Sequence, residues 1–197
     1  MLTEHLIKTL QYLATQKDYN TDKNTTHSYL ELYDQLMAPY AKGEINLLEI
    51  GNHQGGSLLL WNDYFENAEL YGLEINTLDS LKAIGEAHEK IHLKQGVDAY
   101  MEQTVTPFLK DELFFDIIID DGSHQPMHQM FVINTWYKLL KPGGTMIIED
   151  VASPAIASLL LDNAKVLKPD DRVAIFDRRN VKGQSDDIVV VLKKGRK

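Results

Sequence analysis

INLLEIGNHQGGS, Ile45 to Ser57, joins a mostly apolar run to a glycine-rich turn. A short apolar run bounded by turn residues reads as a buried strand, here Ile45 to Gly51, and the pattern from Ser57 to Phe65 reads as a helix. Gly51, Gly55 and Gly56 let the backbone approach a ligand without interference from a Cβ, and they serve a simple tight turn equally well. Their spacing, G-x-x-x-G-G, is not the G-x-G-x-x-G that cradles a pyrophosphate, so a dinucleotide is disfavoured.

The same alternation continues outward. AELYGLEI (Ala68 to Ile75) is a second strand and Thr77 to Lys90 a second helix. IHLKQG, from Ile91, is a third strand leading to a helix around Ala99 to Leu109. FFDIIID, from Phe114, is the fourth. The helix expected after it carries Val132, Trp136, Leu139 and Leu140 at i, i+4, i+7 and i+8, and LKPGG stops it. GTMIIED (Gly144 to Asp150) is the fifth strand. DRVAIFD and DDIVVVLKK, separated by RRNVKGQS with no helix between, read as an antiparallel pair. Together these elements predict a doubly wound, Rossmann-like α/β fold. It has a mostly parallel seven-stranded sheet with helices on both faces and an antiparallel pair at the C-terminal end. Ligands of such sheets bind beyond the carboxyl ends of the strands, where the strand order reverses.

Composition narrows the function. At 197 residues, 44% hydrophobic and 25% charged, the chain is expected to form one compact soluble domain. A net charge of -9 argues against nucleic acid or an anionic membrane as partner, and the basic KKGRK end reads as a solvated tail. The absence of cysteine excludes disulfides, thiolate zinc sites and a cysteine nucleophile, and fits a cytoplasmic location. The first residues form an amphipathic helix with Leu2, Leu6, Leu10 and Leu13 on one face, unlike a signal peptide, and no stretch is apolar enough to cross a bilayer.

The polar strand ends carry the chemistry. Glu74 ends the second strand, where a carboxylate can accept from both hydroxyls of a ribose; with the glycine turn it favours a nucleoside pocket. Asp98, after the third strand, either accepts from an adenine amino group or caps the next helix. The fourth strand ends at Asp120-Asp121 and the fifth at Glu149-Asp150, which brings carboxylates to one edge of the sheet. Such acids repel and need a cation, and oxygen ligands without cysteine suit Mg²⁺, with Mn²⁺ or Ca²⁺ as alternatives. Paired acids also serve as caps and loop solvation. His124, three residues beyond Asp121, is placed to take a proton from a bound hydroxyl, whereas His128 is expected to be scaffold.

TDKNTTHSYLELYDQLM, LLEIGNHQGGSLLLW, YGLEI, FDIIIDDGSHQPMHQMF and LKPGGTMIIEDV together resemble the class I S-adenosylmethionine-dependent methyltransferases. More narrowly, they resemble the Mg²⁺-dependent sugar O-methyltransferases of macrolide biosynthesis and their cephalosporin-hydroxylase-like relatives. The likeness runs from Thr21 to Val151. It implies a metal-assisted O-methyltransferase that uses S-adenosylmethionine and acts on a hydroxyl of a sugar or other vicinal diol. It also implies roles for individual residues: Glu49, Gly51, Asn52, Gly55, Ser57, Glu74, Asp98 and Asp120 for the cofactor, Asp121, Glu149 and Asp150 for the metal, and His124 as base. Asp120 is alternatively a residue that only shapes the turn. Residues 1–44 are expected to form a helical cover over a core of 45–197, in place of the larger N-terminal domain of the macrolide enzymes. A homo-oligomer is compatible with this reading. A non-catalytic nucleoside-binding or assembly protein is the competing expectation, followed by an NAD-dependent oxidoreductase.

Overall fold

The computed structural model describes residues 9–196. Its elements run in the order α1 (Leu10–Gln16), α2 (Leu30–Met37), β1 (Glu44–Ile50), α3 (Gly56–Tyr64), β2 (Asn67–Glu74), α4 (Asp79–Ala87), β3 (Ile91–Gln95) and α5 (Glu102–Lys110). They continue with β4 (Phe115–Asp120), α6 (Pro126–Asn134), β5 (Leu140–Ile148), α7 (Pro154–Leu167), β6 (Arg172–Asp177), α8 (Arg179–Lys182) and β7 (Ile188–Lys193). One seven-stranded sheet has the order β3-β2-β1-β4-β5-β7-β6. Strand β7 runs antiparallel to both β5 and β6, and the other pairings are parallel. This is the mostly parallel, Rossmann-like sheet expected from the alternation, with its order reversing between β1 and β4.

Both faces of the sheet are covered at its centre, which is why β4, β5 and β7 are predominantly apolar, whereas the edge strands β3 and β6 alternate buried or half-buried with exposed positions. Successive side chains point to opposite faces, so two cores form. Leu47, Ile117, Ile119, Ile147 and Val191 pack under α1–α4 with Leu10, Tyr33, Leu58 and Trp61. Leu48, Ile50, Ile118, Ile148 and Val190 pack under α5–α7 with Phe108, Val132, Trp136 and Leu160. Of the apolar stripe at the start of the chain, Leu10 and Leu13 are buried in α1, while Leu2 and Leu6 lie outside the described residues.

Three local expectations need correction. The helix after β4 ends at Asn134 rather than at LKPGG. A 3₁₀ turn, Trp136–Leu139, continues the rotation and keeps Trp136 and Leu139 buried. Leu140-Lys141-Pro142-Gly143-Gly144 then belongs to β5, where the pairing with β4 slips between Leu140 and Thr145 and so accommodates the proline and glycines. The link between β6 and β7 contains one helical turn, α8, closed by Gly183 at φ 79°. Helix α7, absent from the sequence reading, starts at a standard signal: Ser153 Oγ accepts from the backbone N of Ile156, and Pro154 follows.

Candidate active site

A cavity of about 680 Å³ opens at the β1/β4 switch point, beyond the carboxyl ends of the strands. Gly51, Asn52, Ser57, Glu74, Asp98, Asp121 and His124 line it, whereas Glu49, Gly55, Asp120, Glu149 and Asp150 are not part of its wall. Glu74 accepts from the backbone N of Asn52 (3.0 Å) and His53 (2.8 Å) through one oxygen. Its other oxygen accepts from Asn76 backbone N and Nδ2, both at 2.9 Å. Burial opposes ionisation, but these donors prevail and hold the Glu74 carboxyl below its ordinary pKa. Asp98 accepts from the backbone N of Tyr100 at 2.9 Å.

Strand parity sorts the acids. Ile117 and Ile119 face the α1–α4 side, and Asp121 continues that series; Ile118 and Asp120 face the other. Asp120 accepts from the Tyr100 hydroxyl at 2.8 Å, and burial, only partly offset by that bond, pushes its pKa up to about 6. The same parity puts Glu49, two residues after Leu47, and Glu149, two after Ile147, on the Asp121 side. Adjacent strands are about 4.8 Å apart, so three carboxylates crowd one patch.

The charge that answers them is Lys23, a residue to which the sequence reading assigned no role. It is fully buried, with its Nζ 2.6 Å from Asp121, 2.8 Å from both oxygens of Glu149 and 3.6 Å from Glu49. Burial disfavours the ammonium, but Asp121, Glu149 and Glu49 outweigh it and hold the pKa well above the usual lysine value. The rest of the Thr21–Met37 segment follows suit. The Tyr33 hydroxyl donates to Glu149 and the Tyr29 hydroxyl to Asp150. His27 and Ser28 meet Asp187 at 2.8 and 2.9 Å. Glu49 also accepts from Ser57 Oγ at 2.7 Å. Burial, with repulsion from Asp121, still drives the Glu149 pKa up.

Asp121, His124 and Asp150 form a second, overlapping group whose ligand atoms all lie within 4.8 Å of one another. Asp150 and His124 both have left-handed backbone, φ 52° and 56°. This conformation is costly for residues with a Cβ and is typically held at functional sites. For Asp150 the turn departs from strand parity, which would have sent it to the α5–α7 side; instead its Oδ2 lies 3.7 Å from His124 Nε2. Two carboxylates and an imidazole fit a small divalent cation, and the His124 Nδ1 is buried without a partner. Glu149 lies outside this group, its oxygens turned to Lys23 and Tyr33. His128 is scaffold: it stacks on Tyr100 and its Nδ1 meets Ser123 Oγ at 2.7 Å.

A family model described as a methyltransferase domain matches residues 48–151, more than half of the chain. The chain belongs to this methyltransferase-domain family. Among curated proteins, this methyltransferase domain is similar to the 8-demethyl-8-alpha-L-rhamnosyl tetracenomycin-C 2'-O-methyltransferase of Streptomyces olivaceus. The two are 30% identical over 145 residues, 68% of this chain and 35% of that protein. Demethylmacrocin O-methyltransferase of Streptomyces fradiae is 31% identical over 147 residues, 68% of this chain and 34% of that protein. The chain therefore spans about a third of the length of these relatives. Among solved structures, the MycE methyltransferase of the mycinamycin biosynthetic pathway, in complex with Mg and SAH, superposes with a TM-score of 0.74 at 24% identity. The match covers 96% of this chain and 55% of that one and supports the fold. No helix among the described residues is long and apolar enough to cross a membrane.

Proposed function

We propose that the chain is an S-adenosylmethionine-dependent, divalent-cation-assisted O-methyltransferase acting on a hydroxyl of a sugar or similar vicinal diol. The observation that carries this reading is that Asp121 and His124, at the wall of a nucleoside-sized cavity on the sheet's switch point, converge with Asp150 just behind that wall. The curated relatives, named as sugar-directed O-methyltransferases, support the acceptor class.

When bound, S-adenosylmethionine supplies an electrophilic methyl group, and a divalent cation such as Mg²⁺ makes an alcohol more acidic. Asp121 and Asp150 would hold the cation, with Glu149 as the family-implied third carboxylate. Gly51, Asn52 and Ser57 line the cofactor's amino-acid end, and Glu74 and Asp98 its nucleoside end. Both oxygens of Glu74 are already engaged, and the Asn76 side-chain amide, the one partner that is not backbone, is the donor a ribose hydroxyl would replace. His124 takes the hydroxyl proton, and Asp150 beside it stabilises the imidazolium that forms. Of the expected cover over 1–44, the described part, 9–44, closes the site, and the described residues from 45 on form its core.

Replacing His124 by Ala tests the reading. Methyl transfer to a panel of sugar diols should fall by about 10²–10⁴-fold, with S-adenosylhomocysteine affinity unchanged by calorimetry. Full activity in that variant would remove His124 as the base, and wild-type activity indifferent to Mg²⁺ and chelators would remove the cation.

A further inference from the structure

The His124 ring has few contacts of its own to hold it. Its Nδ1 is buried without a partner, and its Nε2 lies 3.7 Å from Asp150 Oδ2, beyond hydrogen-bond reach. The direction of the imidazole is therefore set by the backbone of the loop after β4, left-handed at His124 itself with φ 56°. One side chain from another strand end grips that loop. The Tyr100 hydroxyl accepts from the backbone N of Ser123 at 2.8 Å and donates to Asp120 Oδ1 at 2.8 Å, so it bridges the residues on either side of Asp121 and Gly122. Gly122 leaves room for it, since a Cβ there would lie 2.1 Å from the hydroxyl oxygen. The Tyr100 ring stacks on His128 with centroids 4.2 Å apart and planes at 13°, and His128 Nδ1 meets Ser123 Oγ at 2.7 Å. Ser123, the neighbour of His124, is thus held through both its backbone and its side chain. Tyr100 is anchored in turn beyond β3, where its backbone N donates to Asp98 Oδ1 at 2.9 Å.

We propose that Tyr100 is a positioning residue whose hydroxyl fixes the loop after β4 and, through Ser123, aims the His124 ring at the acceptor hydroxyl. This rests on the reading of His124 as the base given above. The hydroxyl is the part that matters. A ring that only filled the space beside His128 would be served equally well by phenylalanine, whereas phenylalanine leaves the Ser123 N–H without its acceptor and Asp120 without the tyrosine donor. The loop then loses its tie to the β3 end, and the base, which has no hydrogen bond of its own, drifts with it. Tyr100 also lines the cavity, so a role in holding the cofactor is the alternative that the experiment must separate.

Two readouts test it in wild type, Tyr100→Phe and Tyr137→Phe: amide hydrogen exchange of the protein alone, measured by NMR, and steady-state methyl transfer from S-adenosylmethionine to a panel of sugar diols. Tyr137→Phe is the control, since it removes a hydroxyl that donates to Asp171 at the other ends of the strands. In Tyr100→Phe the Ser123 amide should exchange about tenfold faster or more, with the amides inside β1 and β4 unchanged. Its kcat should fall by about tenfold or more, short of the roughly 10²-fold of a full 1 Å misplacement, with the KM for S-adenosylmethionine unchanged. Tyr137→Phe should match wild type in both. Wild-type exchange at Ser123, or wild-type kcat, in Tyr100→Phe overturns the proposal. So does faster exchange throughout the sheet with kcat intact, the mark of a residue that only stabilises the fold. A raised KM at unchanged kcat overturns it in favour of cofactor binding. If Tyr100→Phe does not fold, Gly122→Ala displaces the hydroxyl without removing it, and the same changes at Ser123 and in kcat are expected. A wild type that methylates no diol defeats the function proposed above. The grip of Tyr100 on the loop is then decided separately, by the exchange at Ser123, which needs neither cofactor nor acceptor.

Discussion

Gly51 follows β1 at φ 83°, and a Cβ placed there would lie 2.1 Å from the Asp121 carbonyl oxygen and 2.6 Å from Gly122 Cα. Both neighbours are backbone, so no side-chain rotation relieves the clash. Gly183, after α8, has nearly the same φ of 79°, but a Cβ there meets nothing within 4 Å. Substituting each by Ala therefore separates conformational strain from collision. Left-handed backbone costs a residue with a Cβ about 1–2 kcal/mol, and Gly183→Ala should show about that much. Gly51→Ala bears the same strain. It must also push the β4 end away by about 1 Å, which puts at risk the bond from Asp121 N to Ile50 O, 2.9 Å, worth about 1 kcal/mol. With the lost packing at that junction, we expect a total of about 3–4 kcal/mol. Urea denaturation of both variants beside wild type measures the two costs. Because the displaced backbone carries Asp121, methyl transfer should also fall by about 10²-fold, the scale expected for a 1 Å misplacement. If the two variants lose equal stability within 0.5 kcal/mol, a margin set by the roughly 10–15% extrapolation error, the close approach of β1 to the Asp121 backbone has no energetic weight.

Glu74→Gln should destabilise the fold by about 2 kcal/mol at neutral pH, since three backbone N–H groups lose a charged acceptor. The native Glu74 carboxyl titrates below its ordinary value of 4.5, so wild type holds this stability above pH 4.5 and loses it as pH falls through the native pKa. The gap between the two proteins should narrow in acid, and a gap that widens there refutes the assignment. Tyr29→Phe should cost more than Tyr33→Phe in thermal melts. Asp150 has no hydrogen bond apart from Tyr29 among the described residues, whereas Glu149 keeps both contacts to Lys23; the reverse order would contradict this network. Trp136→Ala should cost about 3–5 kcal/mol by denaturation, because the indole is fully buried, packs on Phe108 and donates to the Ala99 carbonyl at 2.8 Å. A loss below 1 kcal/mol would mean that this face of the sheet repacks freely.

The sheet was legible because its evidence is periodic. Strands of five to nine residues alternate with helical spacing, and the short apolar runs of the central ones, buried on both faces, have no freedom to read otherwise. What failed in the sequence is local and depends on neighbours. LKPGG looks like a stop signal, yet the pairing slip against β4 lets it enter a strand. Four acids at strand ends were visible, but their partners were not: Lys23 and His27 lie before α2 in a stretch without secondary-structure period, and Tyr29 and Tyr33, at the start of α2 and within it, read as ordinary core residues of a helix face.

A signal for Lys23 was nevertheless present in the sequence. Counting by twos from the apolar residues of each strand puts Glu49, Asp121 and Glu149 on one face of neighbouring strands, and three carboxylates there, two of them buried, demand a cation. Lys23 is the lysine of the Thr21–Met37 segment that precedes this face. Asp150 could not be found this way, since parity sends it to the opposite side. Only its left-handed backbone turns it toward His124, and the strain needed to hold that turn is stored by the Tyr29 and His27 contacts that the N-terminal segment supplies. The acids are thus encoded in the strands, while their answering groups are encoded more than a hundred residues away for Glu149 and Asp150. It follows that the segment around Lys23 is as much part of the candidate site as the strand ends.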